Sequence, residues 1–268
     1  MASGGKEHRM VFDIRGKRRH VVKFVYAILA LLMGLSLFLV VGPVNIGSLL
    51  GNSSESGNGA KIYEEQAERL ERKLVKSPED PDLLLSLTRA QLNAGNQLVG
   101  QGSEGQIVLT EESVLKYREA SESWSRYLAA TKEPSATGAQ LVAPAFVNLA
   151  ETSRTGTQFE ENMQSAAEAA GIVAKQRPSL NSLSTLAYYQ YFAFDNAAAE
   201  KARKEAIALT NGKFERENLE NKLDEYQKRA VEVEKAIKSF NKANEKSGAG
   251  KESLENPFGG LGGSSLGE

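Results

Sequence analysis

The sequence predicts an all-α chain: an N-terminal transmembrane helix, then stacked helix pairs, then one long C-terminal helix. Three observations carry this. Phe24–Val41 reads FVYAILALLMGLSLFLVV without a charge. Between residues 61 and 212 apolar residues recur at three- and four-residue spacing, broken by Pro, Gly and Asn. From residue 219 the apolar positions Leu219, Leu223, Tyr226, Val233, Ile237 and Phe240 follow a heptad rhythm.

The apolar run, with its flanks, gives a span over 21–43, long enough for a hydrocarbon core of about 30 Å at 1.5 Å per residue. Lys23 sits near its end, where its long stem can reach the interface. Residues 1–20 form a basic stretch that includes Arg15, Lys17, Arg18 and Arg19, whereas the first charge after the span is Glu55. The positive-inside rule therefore places the N-terminus in the cytoplasm and the main domain outside, on a single-pass cytoplasmic membrane protein. A cleaved signal peptide is the rival reading. The run is longer than a signal's apolar region, and its small residues lack small partners two positions earlier. The Arg18-Arg19 pair also loosely resembles a twin-arginine export signal.

After the span, residues 44–60 read as a flexible Gly/Ser/Asn linker, GNSSESGNGA at its end. Tyr63, Ala67, Leu70 and Leu74 make one stripe of a helix over about 61–76. Ser77-Pro78-Glu79-Asp80 breaks the chain, with Ser as cap. Leu84, Leu87, Thr88 and Gln91 share the face of the next helix, which turns at Gly95-Asn96. The Gly-rich insertion 99–106 reads as a flexible turn, because it lacks the strand-before, helix-after setting and the Lys-Ser/Thr of a phosphate loop. Thr110, with Glu111 and Glu112 behind it, caps a partner helix whose stripe is Leu115, Ala120, Trp124, Tyr127 and Leu128.

A second pair carries Phe146, Leu149 and Ala150, turns at Gly156, reopens on the capping-box match Thr157–Glu160, and continues through Ala166, Ala170 and Val173 to Pro178. The third has Leu183, Leu186 and Ala187, turns near Asp195-Asn196, and passes Ala199 and Ala206 to Thr210-Asn211-Gly212. Residues 213–245 form the long helix, and the Gly/Ser-rich 246–268 reads as a disordered tail.

Composition excludes much chemistry. With no Cys, there is no disulfide scaffold, Cys-based zinc site or Cys nucleophile. The two His, His8 and His20, lie in the basic N-terminal stretch, so the main domain holds no His-ligated metal and no Ser-His-Asp triad. Residues 24–268 carry 26 basic and 32 acidic side chains, a poor match for a phosphate backbone, so no nucleic acid is expected. Adjacent acids such as Glu160-Glu161 do not face each other on a helix. No cofactor, metal or catalytic set emerges, and the chain reads as a non-enzyme.

The residues Leu84/Leu87/Gly95, Phe146/Leu149/Ala150 with Ala166/Pro178, and Leu186/Ala187 with Ala199/Ala206 resemble the tetratricopeptide repeat (TPR) family, an α-solenoid of helix–turn–helix units of about 34 residues. The likeness covers about residues 79–212. It departs from the family pattern in the first unit's insertion and the second unit's extra length. The resemblance implies a concave groove lined by the first helix of each pair. Carried over, that groove holds Arg89 and Asn93, then Asn148, Glu151 and Arg154, then Tyr188, Tyr191 and Phe192. The family's carboxylate clamp needs a full set of Lys, Arg and Asn that is not found here. Tyr188, Tyr189, Tyr191, Phe192 and Phe194 cannot all face inward on one helix. They either line a peptide groove or cover a long helix interface.

The expected partners are a protein or peptide, and the lipid bilayer through residues 21–43. The architecture resembles ancillary subunits of bacterial protein-export and envelope-assembly machinery, which implies an interaction scaffold. The heptad residues either cap the helical array or form the seam of a homodimer, a structural oligomer.

Overall fold

A computed structural model describes residues 57–101 and 107–247. The predicted span 21–43, the basic stretch 1–20 and the tail from residue 248 lie outside the described residues. Among those described, no helix is long and apolar enough to cross a membrane.

Eight helices make up the described chain, and the fold is all-α. They are α1 (Gly57–Leu74), α2 (Pro81–Gln97), α3 (Glu111–Ala130), α4 (Ala136–Glu151), α5 (Gly156–Gln176), α6 (Leu180–Phe192), α7 (Asn196–Ala208) and α8 (Lys213–Ser247). Helix α1 begins earlier than expected: residues 57–60, read as linker, are helical, and Ala60 is buried. The small Gly59 brings this first turn against the Gln97 side chain at the end of α2.

Local chemistry sets most boundaries, in places by a residue other than the one expected. Asp80, not Ser77, caps α2, accepting from the N–H groups of Asp82 (3.0 Å) and Leu83 (3.1 Å), with Pro81 in the first turn. Thr110 caps α3 as predicted. Thr155 rather than Thr157 caps α5: its hydroxyl accepts from Gln158 N–H at 3.2 Å, and the Gln158 side chain accepts from Arg154 N–H. Asp195 caps α7. Just before it, Phe194 adopts a left-handed φ of 61°, where glycine is usual. Asp195 N–H and Phe194 N–H donate to the carbonyls of Gln190 and Tyr191, closing α6, and the Phe194 ring stacks on Phe159 at 6.1 Å.

The insertion also differs from expectation. Instead of a plain turn, β1 (Gly100–Gln101) and β2 (Ile107–Val108) pair antiparallel in the register Gly100↔Val108, Gln101↔Ile107.

Helices α2/α3, α4/α5 and α6/α7 form the three predicted pairs, with α1 laid on α2. Successive pairs are joined where α3 meets α4 and α5 meets α6, and α2 also touches α4. The first helices of the pairs begin at residues 81, 136 and 180 and α8 at 213, so only the last interval is near about 34 residues.

Volume complementarity fills the core. In the first pair Leu84, Leu87 and Leu92 of α2 meet Tyr117, Trp124 and Tyr127 of α3, all buried. Gly95 leaves room for the Tyr117 ring, which would lie 2.8 Å from any Cβ there. The predicted α3 stripe is out of phase at its start. Leu115 is exposed, and Tyr117 takes the inward seat four residues after buried Ser113 and three before Ala120. Two buried polar pairings lie within this core: Ser123 donates to Gln91 Oε1 at 2.7 Å, and Thr88 to the Leu84 carbonyl at 2.9 Å.

Helix α8 packs on α6 and α7 and reaches the start of α5. Its heptad residues Leu219, Leu223 and Ile237 are buried within the chain, as is Ala230, while Tyr226 and Val233 are half-buried against the core. The Phe240 side chain lies outside the described residues. The seam that a homodimer would use is therefore seated on the chain's own helices. Its far end is held tightly, since a Cβ at Gly156 would fall 2.2 Å from Ile237 Cγ2.

Candidate binding groove

Helices α4 and α6, with α5 as floor, enclose a groove of about 350 Å³. Gln140, Ala143 and Pro144 come from α4, Ala170 and Val173 from α5, and Asn181, Ser182, Thr185 and Tyr189 from α6, with Arg177 and Ser179 in the connection. Pro144 stands inside α4 and has no N–H, so the helix bond that would close on the Gln140 carbonyl is not made. A backbone acceptor is thus freed on the residue that forms the groove's edge.

The walls are held from both ends. Gln176 Nε2 donates to the Pro134 carbonyl at 2.6 Å and Arg177 Nη2 to Thr137 Oγ1 at 3.1 Å, tying the end of α5 to the start of α4. Ser179 caps α6 in a reciprocal box with Ser182. Tyr189 is buried, and burial pushes its hydroxyl up to about 12, so it remains a protonated group near neutral pH. The lining has apolar walls, neutral amides and hydroxyls, and one guanidinium, with no carboxylate and no His.

A second depression of about 250 Å³ lies between α6 and α8, bounded by Tyr188, Asn218, Lys222 and Tyr226. Asn181 and Thr185 line both, so the two grooves share one ridge on α6.

None of the groove residues expected from sequence lines the α4–α6 groove, and of them Tyr188 borders the second depression. Arg89 and Asn93 are exposed on α2, and Arg154 is exposed between α4 and α5. Asn148 is half-buried beside the Tyr117 hydroxyl, which donates to Asn96 Oδ1 at 2.8 Å; burial raises that hydroxyl's pKa, and the Asn148 bond lowers it. Glu151, half-buried, lies within electrostatic reach of Tyr188.

Tyr188, Tyr191 and Phe192, read either as lining a peptide groove or as covering a long helix interface, are buried, together with Tyr189. The expectation that these aromatics cannot all face inward is overturned. Helix α6 is contacted by α5, α7 and α8 at once, which buries the aromatics of its second half on every side, while Asn181 near its start is exposed. Tyr188 packs edge-on against Tyr226 at 4.6 Å and beside Phe192 at 4.9 Å. Burial drives its pKa far up, helped by the neighbouring Tyr189, Tyr226 and Glu151 charges. Tyr191 donates to Glu200 Oε1 at 2.6 Å, and burial with that bond pushes its hydroxyl up to about 12. Arg203 pairs with Asp224 at 2.6 Å and Glu200 at 3.8 Å. Burial works against its charge, but the bonds to Tyr191 and Asp224 outweigh that and raise its pKa.

Sequence reasoning missed Gln140, Pro144, Arg177, Asn181 and Thr185. One signal was available: a proline in the middle of an Ala-rich helix marks a place where the backbone gives up a bond. Among the described residues no group of three or more His, Asp or Glu could hold a metal ion. No family model matches the chain, and neither a curated protein nor a solved structure matches it.

Proposed function

We propose that the chain is a non-enzymatic, membrane-tethered scaffold of TPR-like helix pairs that holds an extended peptide segment of another protein, outside the cytoplasmic membrane, in the groove between α4 and α6. The observation that carries this is the groove itself. It has apolar walls, neutral donors and acceptors from both sides, and a helix carbonyl that receives no N–H from Pro144. An extended backbone presents N–H and C=O groups at regular intervals and needs such neutral partners.

The sequence supports the tether: an uncharged run with basic residues on one side only. Tethering would raise the local concentration of the domain at the membrane, so a modest groove affinity suffices. A place in protein export or envelope assembly rests on the likeness of architecture.

The test is peptide selection on the full chain in lipid nanodiscs, followed by affinity measurement on Gln140→Arg and Thr185→Arg. Each adds bulk and charge to a groove edge and should weaken the selected peptides at least about tenfold, or about 1.4 kcal/mol. Arg89→Ala should leave them unchanged. Peptides indifferent to both groove variants would sink the reading.

A further inference from the structure

We propose that the α4–α6 groove and the depression between α6 and α8 act as one site for a peptide with two acidic side chains. One acid docks on Arg177 and the other on Lys222, and the peptide backbone crosses α6 at Asn181 and Thr185. This rests on the reading of the α4–α6 groove as a peptide site, and it names the chemistry that the groove selects.

Charge supplies the first argument. Residues 24–268 carry 26 basic and 32 acidic side chains, yet the surface around α6 departs from that balance. Helix α6 contains no charged residue, and α4 has only Glu151, its last. Arg177 is the one charge lining the α4–α6 groove. The second depression has Lys222 and Glu215, and Glu215 Oε2 accepts from the Asn211 N–H at 2.6 Å. Behind it, Glu151 and Arg229 both reach Tyr188 electrostatically and act on it with opposite signs.

Both cations are exposed and held by neutral groups. Arg177 Nη2 donates to Thr137 Oγ1 at 3.1 Å, and the guanidinium fork has further N–H donors to offer. Lys222 Nζ lies 5.8 Å from the centre of the Tyr226 ring, an attraction that positions the ammonium without neutralising it. Among the described residues no carboxylate pairs with either cation.

The ridge sets the spacing of the ligand. Asn181 and Thr185, one turn apart on α6, offer an amide and a hydroxyl to a crossing backbone. A helix is about 10 Å across, so an extended chain passes it in about three to four residues. The Debye length in physiological salt is about 8 Å, so each cation governs its own side of the ridge. The matching ligand therefore has two separate Asp or Glu side chains around a short uncharged stretch, rather than one acidic terminus. Neither cation belongs to the first-helix positions from which the tetratricopeptide likeness builds its groove: Arg177 lies in the α5–α6 connection and Lys222 on α8.

The test uses the full chain in lipid nanodiscs and a random peptide library with acetylated and amidated ends, so that only side chains carry charge. Selected sequences should share two acids about three to five positions apart. The tightest peptide is then measured against Arg177→Glu and Lys222→Glu, with helicity recorded. Each reversal should weaken it about tenfold. Lys in place of one acid should restore binding to Arg177→Glu, and Lys in place of the other should restore binding to Lys222→Glu. Arg177→Gln keeps a donor for Thr137, so it separates the charge from the tie to α4. It should weaken the original peptide but leave unchanged a peptide whose matching acid is already Gln. Selected peptides that lack paired acids yet lose affinity on Gln140→Arg overturn this inference alone and leave the groove reading standing. Charge reversals that no exchange in the peptide restores also overturn it. A library without binders, or binders indifferent to both Gln140→Arg and Thr185→Arg, overturns the groove reading and this inference together.

Discussion

The first helix pair and the third fill their interiors with the same materials in opposite places. In the first, the rings sit on the second helix: Tyr117, Trp124 and Tyr127 of α3 face the leucines of α2. In the third they sit on the first helix, with Tyr188, Tyr189, Tyr191 and Phe192 on α6 against Ala199, Ala202 and Ala206 of α7. The rings of α3 recur at seven- and three-residue spacing and share one stripe, so one neighbouring layer can cover them. The aromatics of α6 are almost consecutive and point all round the helix, so they need a third cover. That cover is α8, through Leu219, Leu223 and Tyr226. The position of the large residues thus decides whether a pair is complete in itself or depends on a helix beyond it.

Alkaline titration should separate the two regions most strongly. Tyr188, Tyr189 and Tyr191 on α6 all have raised pKa values, the last two to about 12, while the first pair contributes Tyr117 alone. An unfolded tyrosine loses its proton near pH 10 and a folded one of this kind does not. The native state then holds more protons than the unfolded state, and stability falls as pH rises. Stability is full below pH 10 and is lost above it, by up to about 3 kcal/mol per pH unit from Tyr188 and Tyr189 together. Amide exchange followed through pH 9–11.5, corrected for the intrinsic rate, should show α6 opening before α3. Simultaneous opening would mean the two pairs do not differ in this way.

Trp124→Ala is the converse perturbation. It removes the largest ring of the first pair and should cost about 3–5 kcal/mol in denaturant unfolding. Because stacked pairs contact mainly their neighbours, protection should fall first in α2 and α3 and least in α6. Uniform loss along the chain would show one cooperative unit instead.

The smallest effect is aimed at the cover itself. Gly156→Ala places a Cβ on Ile237 and should lower stability by about 1–3 kcal/mol, by prising the far half of α8 off the start of α5. Ile237→Ala in the same chain should recover part of that loss, and a double-mutant cycle measures the coupling. Additive losses would place the strain elsewhere.

Much of the fold is legible in the sequence because helix-forming signals are local. The 4-3 stripe of α1, the Thr110 cap, the Asp195-Asn196 turn and the start and end of α8 near residues 213 and 247 follow from residues within a turn or two of one another. Misplacements occur where two local signals compete. Asp80 displaces Ser77 because Pro81 follows it, and Thr155 displaces Thr157 because Gln158 then completes the cap. Leu115, a member of the predicted stripe, loses its seat to Tyr117, which has Gly95 opposite to receive it.

The candidate site was far less legible. A groove is a property of two helices and a floor that lie far apart in sequence, as Gln140, Val173 and Thr185 do, and no periodicity relates them. The aromatic run was visible, but its exposure depended on what covers α6, and α8 approaches from beyond residue 213. By itself the sequence determined the helices, their pairing order, the single uncharged run and the absence of Cys and His chemistry from the main domain. Tertiary structure alone decided which faces are inside. Burial is set by the neighbour that arrives, and a helix with apolar residues all round accepts a neighbour on any side.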